Sequence, residues 1–311
     1  MSAAALPTPF GGVVPPLCTP FTDDHHLDLD SLKALIEFQI AGGVHGLFVL
    51  GSTSEAVFLT SKQRETIIET TVQTVAGRVP VVAGVLGTTT VPCVEYAEAA
   101  QRAGASGIVL TAPFYARTSQ PEILEHFRQI RAAVDLPILA YDIPVAVHVK
   151  IERPTMLTLA REGTIVGIKD SSGDDANFRG LVLETRDLPG FSTFTGSELL
   201  VDSALMIGAS GVVPGLGNVD PAAYRRLYDA AKAGDWAKAR EEQERLYRLF
   251  SIVFAGDPAR MGGGASAYGG FKTALVLLGV IATNVVGRPQ PRFNDAEVER
   301  VRAIMVEADL L

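Results

Sequence analysis

Three times along the chain, a glycine suited to ending a helix is followed within a few residues by a second glycine that opens an apolar run. The segments are Ala41-Gly42-Gly43-Val44-His45-Gly46-Leu47-Phe48-Val49, Ala103-Gly104-Ala105-Ser106-Gly107-Ile108-Val109-Leu110 and Ile207-Gly208-Ala209-Ser210-Gly211-Val212-Val213. Each reads as a helix C-cap, a tight turn and a buried strand, because glycine accepts the left-handed backbone in which helices commonly end. Elsewhere, short apolar runs alternate with longer amphipathic stretches. They place candidate strands at 12–19, 46–50, 79–84, 107–110, 137–141, 165–169, 191–195 and 211–214, with candidate helices at 31–41, 61–75, 91–103, 121–134 and 198–207 between them. Runs such as Leu47-Phe48-Val49-Leu50 and Ile108-Val109-Leu110 are continuously apolar, as strands covered by helices require. Eight strands recurring at roughly 26–30 residues per unit predict a parallel (β/α)8 TIM barrel. The alternative, a doubly wound open sheet, needs a glycine-rich phosphate turn after the first strand. Pro15-Pro16-Leu17-Cys18-Thr19-Pro20 does not supply one.

This reading assigns residues 1–220 to the catalytic barrel, with its last helix at 221–233, and 234–311 to a C-terminal helical extension. Further helices are expected at 235–250, 271–278 and 295–307. The glycine-rich segment 261–270 is expected to be a loop. Asp30 is the expected N-cap of the first helix, Thr60 with Gln63 has capping-box spacing, and Pro121 suits a helix start.

The formal net charge is -8, and no stretch concentrates Lys and Arg. That argues against nucleic acid or an anionic membrane as partner, while leaving room for a locally positive site that takes a small anion. Two cysteines, Cys18 and Cys93, suit a reducing compartment. With no signal-peptide pattern and no apolar run long enough to span a bilayer, a cytoplasmic location is expected. The five histidines, His25, His26, His45, His126 and His148, do not pair at metal-ligand spacing on a strand, which disfavours a metal-dependent aldolase or amidohydrolase barrel.

In such a barrel the polar residues that matter end the strands. Lys169 follows Ile165-Val166-Gly167-Ile168 and precedes a turn-rich loop. An amine drawn partly out of water favours its neutral form, the nucleophile that attacks a ketone. Otherwise the side chain reaches solvent or pairs with Asp170. Tyr141 ends the preceding strand, about 4.8 Å away across the sheet, so its phenol can pass protons to whatever Lys169 binds. The alternative is a tyrosine packed under the rim. Gly51-Ser52-Thr53-Ser54-Glu55 follows the second strand and offers hydroxyls and backbone N–H groups as a carboxylate cradle, or a plain capping turn. Tyr115, after the fourth strand, either extends a proton relay or fills a subunit contact.

Together these segments resemble the dihydrodipicolinate synthase and N-acetylneuraminate lyase superfamily of Schiff-base enzymes that handle pyruvate. The matching motifs are Gly51-Ser52-Thr53-x-Glu55, Pro113-Phe114-Tyr115, Tyr141-Asp142-Ile143-Pro144 and Gly167-Ile168-Lys169-Asp170, in order across essentially the whole chain. The resemblance implies that Lys169 forms the imine and that Tyr141 is the central acid/base. It implies that Ser52 and Thr53 bind the substrate carboxylate, with Thr53 in the proton relay, and that Tyr115 reaches across a subunit interface. Ser171 and Val213 complete the implied substrate-binding set. The family is commonly a homotetramer, a dimer of dimers, and needs neither metal nor organic cofactor because the lysine is the electron sink.

Within the superfamily, Ala146 stands where the lysine-precursor synthases carry an arginine for the second substrate's carboxylate, a contact alanine cannot make. Lys150, Arg153 and Arg117 are the candidate substitutes. Ser52-Thr53 is similar to the neuraminate lyases, Lys169-Asp170-Ser171-Ser172-Gly173-Asp174 is similar to 2-keto-3-deoxy sugar acid aldolases, and Ser54 stands where glycine is usual. The expected activity is therefore a carbon–carbon lyase that joins a 2-oxo acid such as pyruvate to an aldehyde or splits it off, with a 2-keto-3-deoxy sugar acid favoured. The alternatives are dihydrodipicolinate synthesis, a neuraminate lyase-like reaction, a dehydratase or decarboxylase outcome from the same imine, and a non-catalytic homologue that binds a keto acid.

Overall fold

A computed structural model describes residues 3–311. Its eight strands are β1 (Gly12–Val13), β2 (Leu47–Val49), β3 (Val81–Gly84), β4 (Gly107–Thr111), β5 (Ile138–Asp142), β6 (Gly167–Asp170), β7 (Ser192–Thr195) and β8 (Gly211–Val212). All the pairings are parallel; β2 to β8 pair in sequence order and β8 pairs with β1. Between β1 and β2 the ring closes over residues 15–17. The Leu17 N–H donates to the Phe48 carbonyl at 2.8 Å and the Phe48 N–H to the Pro15 carbonyl at 3.0 Å. Pro15 and Pro16 have no N–H to offer, which keeps this ladder short. Asn218 ties the same corner together: it accepts from the Cys18 N–H at 2.9 Å and donates to the Pro16 and Gly215 carbonyls at 2.8 Å each. The (β/α)8 barrel expected from the strand spacing is the fold found.

Strand alternation sorts the apolar residues into two layers. Phe48, Val82, Val109, Leu139, Tyr141 and Phe194 join one cluster that fills the barrel. Their neighbours Leu47, Val49, Ala83, Ile108, Leu110, Ala140 and Ile168 pack in a second cluster with residues of the surrounding helices. The three glycine repeats behave as expected. Gly43, Gly104 and Gly208 have φ of +78°, +84° and +102°. Gly211 then lets two backbones meet, since an added Cβ would lie 2.1 Å from the Gly12 carbonyl oxygen.

Two expectations fail. The first helix, Leu29–Ala41, is capped by Asp28, whose carboxylate accepts from the Ser31 N–H at 3.0 Å and the Ser31 hydroxyl at 2.7 Å; Asp30 lies inside the helix. The segment 261–270 is also no loop, because all but its first two residues belong to the helix Gly263–Leu277. Its later glycines serve close packing. A Cβ on Gly270 would sit 2.3 Å from the Ile252 carbonyl oxygen, and one on Gly269 would sit 2.5 Å from the Phe293 ring. Tertiary contact here overrides glycine's poor helix propensity of about 1 kcal/mol per residue. This helix brings Tyr268 and Lys272 to the mouth of the barrel. Among the described residues, no helix is long and apolar enough to cross a membrane.

Candidate active site

Lys169 and Tyr141 are register partners at the ends of β6 and β5. Both point into the barrel and are 6% and 3% exposed. The Lys169 Nζ lies 4.0 Å from the centroid of the Tyr141 ring and 5.2 Å from that of Phe48. Alternation turns the next residue of each strand outward. Asp142 is fully buried, accepting from Lys150 at 3.1 Å and from the Ile151 N–H at 3.0 Å. Asp170 accepts from the Ser172 N–H at 2.8 Å and its hydroxyl at 2.7 Å. Burial raises the pKa of both carboxyls. Among the described residues Lys169 forms no ion pair with either carboxylate, so the pairing with Asp170 weighed from the sequence is absent.

Room for the amine comes from Gly196, just past β7. A Cβ there would lie 3.2 Å from the Lys169 Cε and 2.0 Å from the Ser171 Oγ, which puts Ser171 beside the lysine. Val213, 7% exposed just past β8, joins the cluster that contains Tyr141 and Phe48.

The turn after β2 is fixed from below. The Gly51 N–H donates to the Ser54 Oγ at 3.2 Å, the Ser54 hydroxyl to the Leu17 carbonyl at 2.6 Å, and the Thr19 hydroxyl to the Ser54 carbonyl at 2.7 Å. The serine in place of the usual glycine therefore works as an anchor. Leu50 and Glu55, on either side, have φ of +60° and +57°, a conformation that non-glycine residues hold only when their surroundings enforce it. The result leaves Ser52 and Thr53 half-buried at the rim. Ser52 lines a cavity of about 210 Å³ with Thr111, Phe114, Ile143, Ala146 and Tyr268.

Tyr115 is not brought to this cluster. It is 94% exposed with φ +77°, near Phe114 on the outer rim. His148 is also exposed.

Two residues of the site escaped the sequence reading. The Glu198 carboxylate accepts from the Leu216 N–H at 2.6 Å and the Tyr224 hydroxyl at 3.2 Å. Burial raises its pKa to about 7, against the lowering effect of those donors and of the nearby Lys169 charge. Tyr268 projects from the unexpected helix, and burial followed by the Glu55 charge pushes its phenol up to about 12, so it remains a hydrogen-bond donor near neutral pH. Neither lies in a motif; Glu198 falls in the turn after β7, at the barrel end that also carries Lys169, and that position is the one signal that could have found it.

Residues 9–308 match the profile of the dihydrodipicolinate synthetase family. The chain is 33% identical over 300 residues to the 4-hydroxy-tetrahydrodipicolinate synthase of Methanoculleus marisnigri, covering 96% of this chain and 99% of that one. Among solved structures, the dihydrodipicolinate synthase of Bacteroides thetaiotaomicron superposes with a TM-score of 0.90 at 34% identity, over 97% of this chain and 99% of the other. YagE of E. coli K12, a prophage protein of the dihydrodipicolinic acid synthase family solved in complex with pyruvate, superposes with a TM-score of 0.90 at 29% identity over the same shares.

Proposed function

The chain belongs to the dihydrodipicolinate synthetase family and is a carbon–carbon lyase of the Schiff-base, pyruvate-handling type; on that premise we propose that Lys169 is the imine-forming amine and Tyr141 its acid/base. The observation that carries this reading is the buried Lys169 Nζ 4.0 Å from the Tyr141 ring centroid, with no carboxylate tied to it. Lys169 attacks C2 of the 2-oxo acid, water leaves, and the imine draws electrons from the bond between C3 and C4. That bond breaks to release an aldehyde, or forms in the reverse direction. Tyr141 moves the protons of the carbinolamine and enamine steps, relayed through Thr53. Ser52 and Thr53 hold the carboxylate, while Ser171 and Val213 line the substrate. No metal or organic cofactor enters this scheme. Tyr115 joins the relay from a neighbouring subunit of a homotetramer, in keeping with its exposed position.

For the aldehyde we favour a 2-keto-3-deoxy sugar acid as substrate over aspartate semialdehyde as partner. Ala146 offers no charge, Lys150 is bound to the buried Asp142 at 3.1 Å, and Arg153 pairs with Glu184 at 3.3 Å. Two of the three candidate replacements for the missing arginine are thus engaged elsewhere, and the third, Arg117, is exposed beside Tyr115. Ser171 stands ready to hydrogen-bond substrate hydroxyls. The names of relatives such as the Methanoculleus enzyme favour the second reading, 4-hydroxy-tetrahydrodipicolinate synthesis. A substrate panel separates them: keto-deoxy-gluconate and N-acetylneuraminate scored by pyruvate release, and pyruvate with aspartate semialdehyde scored by pyruvate consumption. Robust turnover of the last pair alone overturns the preference.

A further inference from the structure

The turn that carries Ser52 and Thr53 ends in a residue facing away from the cavity. Glu55 is fully buried in a left-handed backbone conformation. Its carboxylate accepts from the Gly287 N–H and forms an ion pair with Lys272, which is also fully buried. The Lys272 Nζ in turn donates to the Val285 carbonyl at 2.8 Å and lies 4.4 Å from the centroid of the Phe21 ring. Lys272 belongs to the helix Gly263–Leu277, which also presents Tyr268 to the cavity. One buried charge pair therefore joins the rim turn to the C-terminal helical region, more than 200 residues away along the chain.

We propose that Lys272 and Glu55 are positioning residues: their ion pair clamps the Ser52–Thr53 turn in the conformation that receives the substrate carboxylate. Neither touches substrate. A buried ion pair is weak evidence for stability, because apolar replacements of similar volume often hold a fold as well. What such a pair supplies is a fixed geometry, here at a backbone that holds two left-handed non-glycine residues, Leu50 and Glu55, within six positions. Gly287 crowds Glu55 on one side: a Cβ added there would sit 3.1 Å from the Glu55 Oε2.

The inference rests on the assignment of Ser52 and Thr53 as the carboxylate cradle, and the test separates the two. Lys272→Met leaves an unpaired buried carboxylate and is expected to lose stability. The double variant Glu55→Gln/Lys272→Met removes both charges while keeping an amide oxygen for the Gly287 N–H, and is expected to recover most of the melting temperature. Its pyruvate concentration for half-maximal borohydride trapping should nevertheless rise about 10-fold, with the trapping rate at saturation within about 3-fold of the parent, the pattern of lost ground-state binding. Leu181→Ala, a core truncation on the helix Asp175–Thr185, whose main helical partner is Arg153–Arg161, should lower stability without moving the pyruvate constant. A double variant whose pyruvate constant stays at the parental value, whatever its melting temperature, overturns the clamp. Should the double variant not fold, Glu55→Gln alone carries the same readout. If the parent is not trapped at all, the imine assignment is wrong; if Ser52→Ala and Thr53→Ala leave the pyruvate constant unchanged, the cradle assignment is wrong.

Discussion

Gly196→Ala puts a methyl group into the space beside Lys169. The added Cβ would meet the Ser171 Oγ at 2.0 Å and the Lys169 Cε at 3.2 Å. Gly196 is absent from the glycines with positive φ, so alanine brings no backbone strain. The hydroxyl is the free end of a short side chain and can rotate away, and the Ser171 Cβ at 3.2 Å need give by only a few tenths of an ångström, which keeps the cost near the lower end of the usual range for overpacking, about 1 kcal/mol. In a chain of this size that lowers the melting temperature by no more than about 3 °C. For the lysine the consequence is catalytic. Its methylene must retreat by a few tenths of an ångström, and because a misplacement of 1 Å can cost on the order of 10²-fold in rate, about a 10-fold loss is expected. The assay is the rate of borohydride trapping of pyruvate, read beside thermal unfolding. A variant that traps pyruvate at the parental rate, or one whose loss is matched by a collapse in stability, refutes the view that this glycine exists to seat the amine.

Other perturbations follow from the same geometry. Tyr141→Phe should bind pyruvate yet form the imine slower by on the order of 10²–10⁴; stopped-flow trapping near the parental rate would remove the phenol from the mechanism. Glu198 has its folded-state pKa raised from 4.5 to about 7. Its stabilising contribution is therefore full below pH 4.5 and is lost as pH rises towards 7. Denaturant titrations of the parent and of Glu198→Gln should converge at the acid end and favour the variant increasingly up to about pH 7; a pH-independent difference argues against the buried carboxyl. Gly263→Ala, at the start of its helix with no atom within 4 Å of the new methyl, should stabilise the fold by about 0.5–1 kcal/mol. Destabilisation in the same titration would mean that this helix end is not as described.

Much of this site was legible because a parallel barrel writes itself locally. A strand such as Ile108-Val109-Leu110 must be apolar on both faces, so its ends show as the first polar residues, and Lys169 and Tyr141 stand there. Thr60 and Gln63 lie within one turn, and their capping box forms as spaced. Features made by distant chain segments left no such trace. Gly269 and Gly270 read as a flexible loop until Phe293 and Ile252 are seen against them. Lys272 looks like any helix lysine until Glu55 is found beside it. Asp28 and Asp30 are equivalent as sequence, and only the Ser31 hydroxyl and N–H select the first as the cap. Tyr115 is 94% exposed, so the relay role proposed for it requires a neighbouring subunit.

The most direct test is to incubate the protein with pyruvate, reduce it with borohydride, digest it and map the modification by mass spectrometry. A reduced pyruvyl adduct on Lys169, absent without pyruvate and absent in Lys169→Ala, is the predicted result. An unmodified Lys169, or an adduct carried by another lysine such as Lys150, contradicts the account.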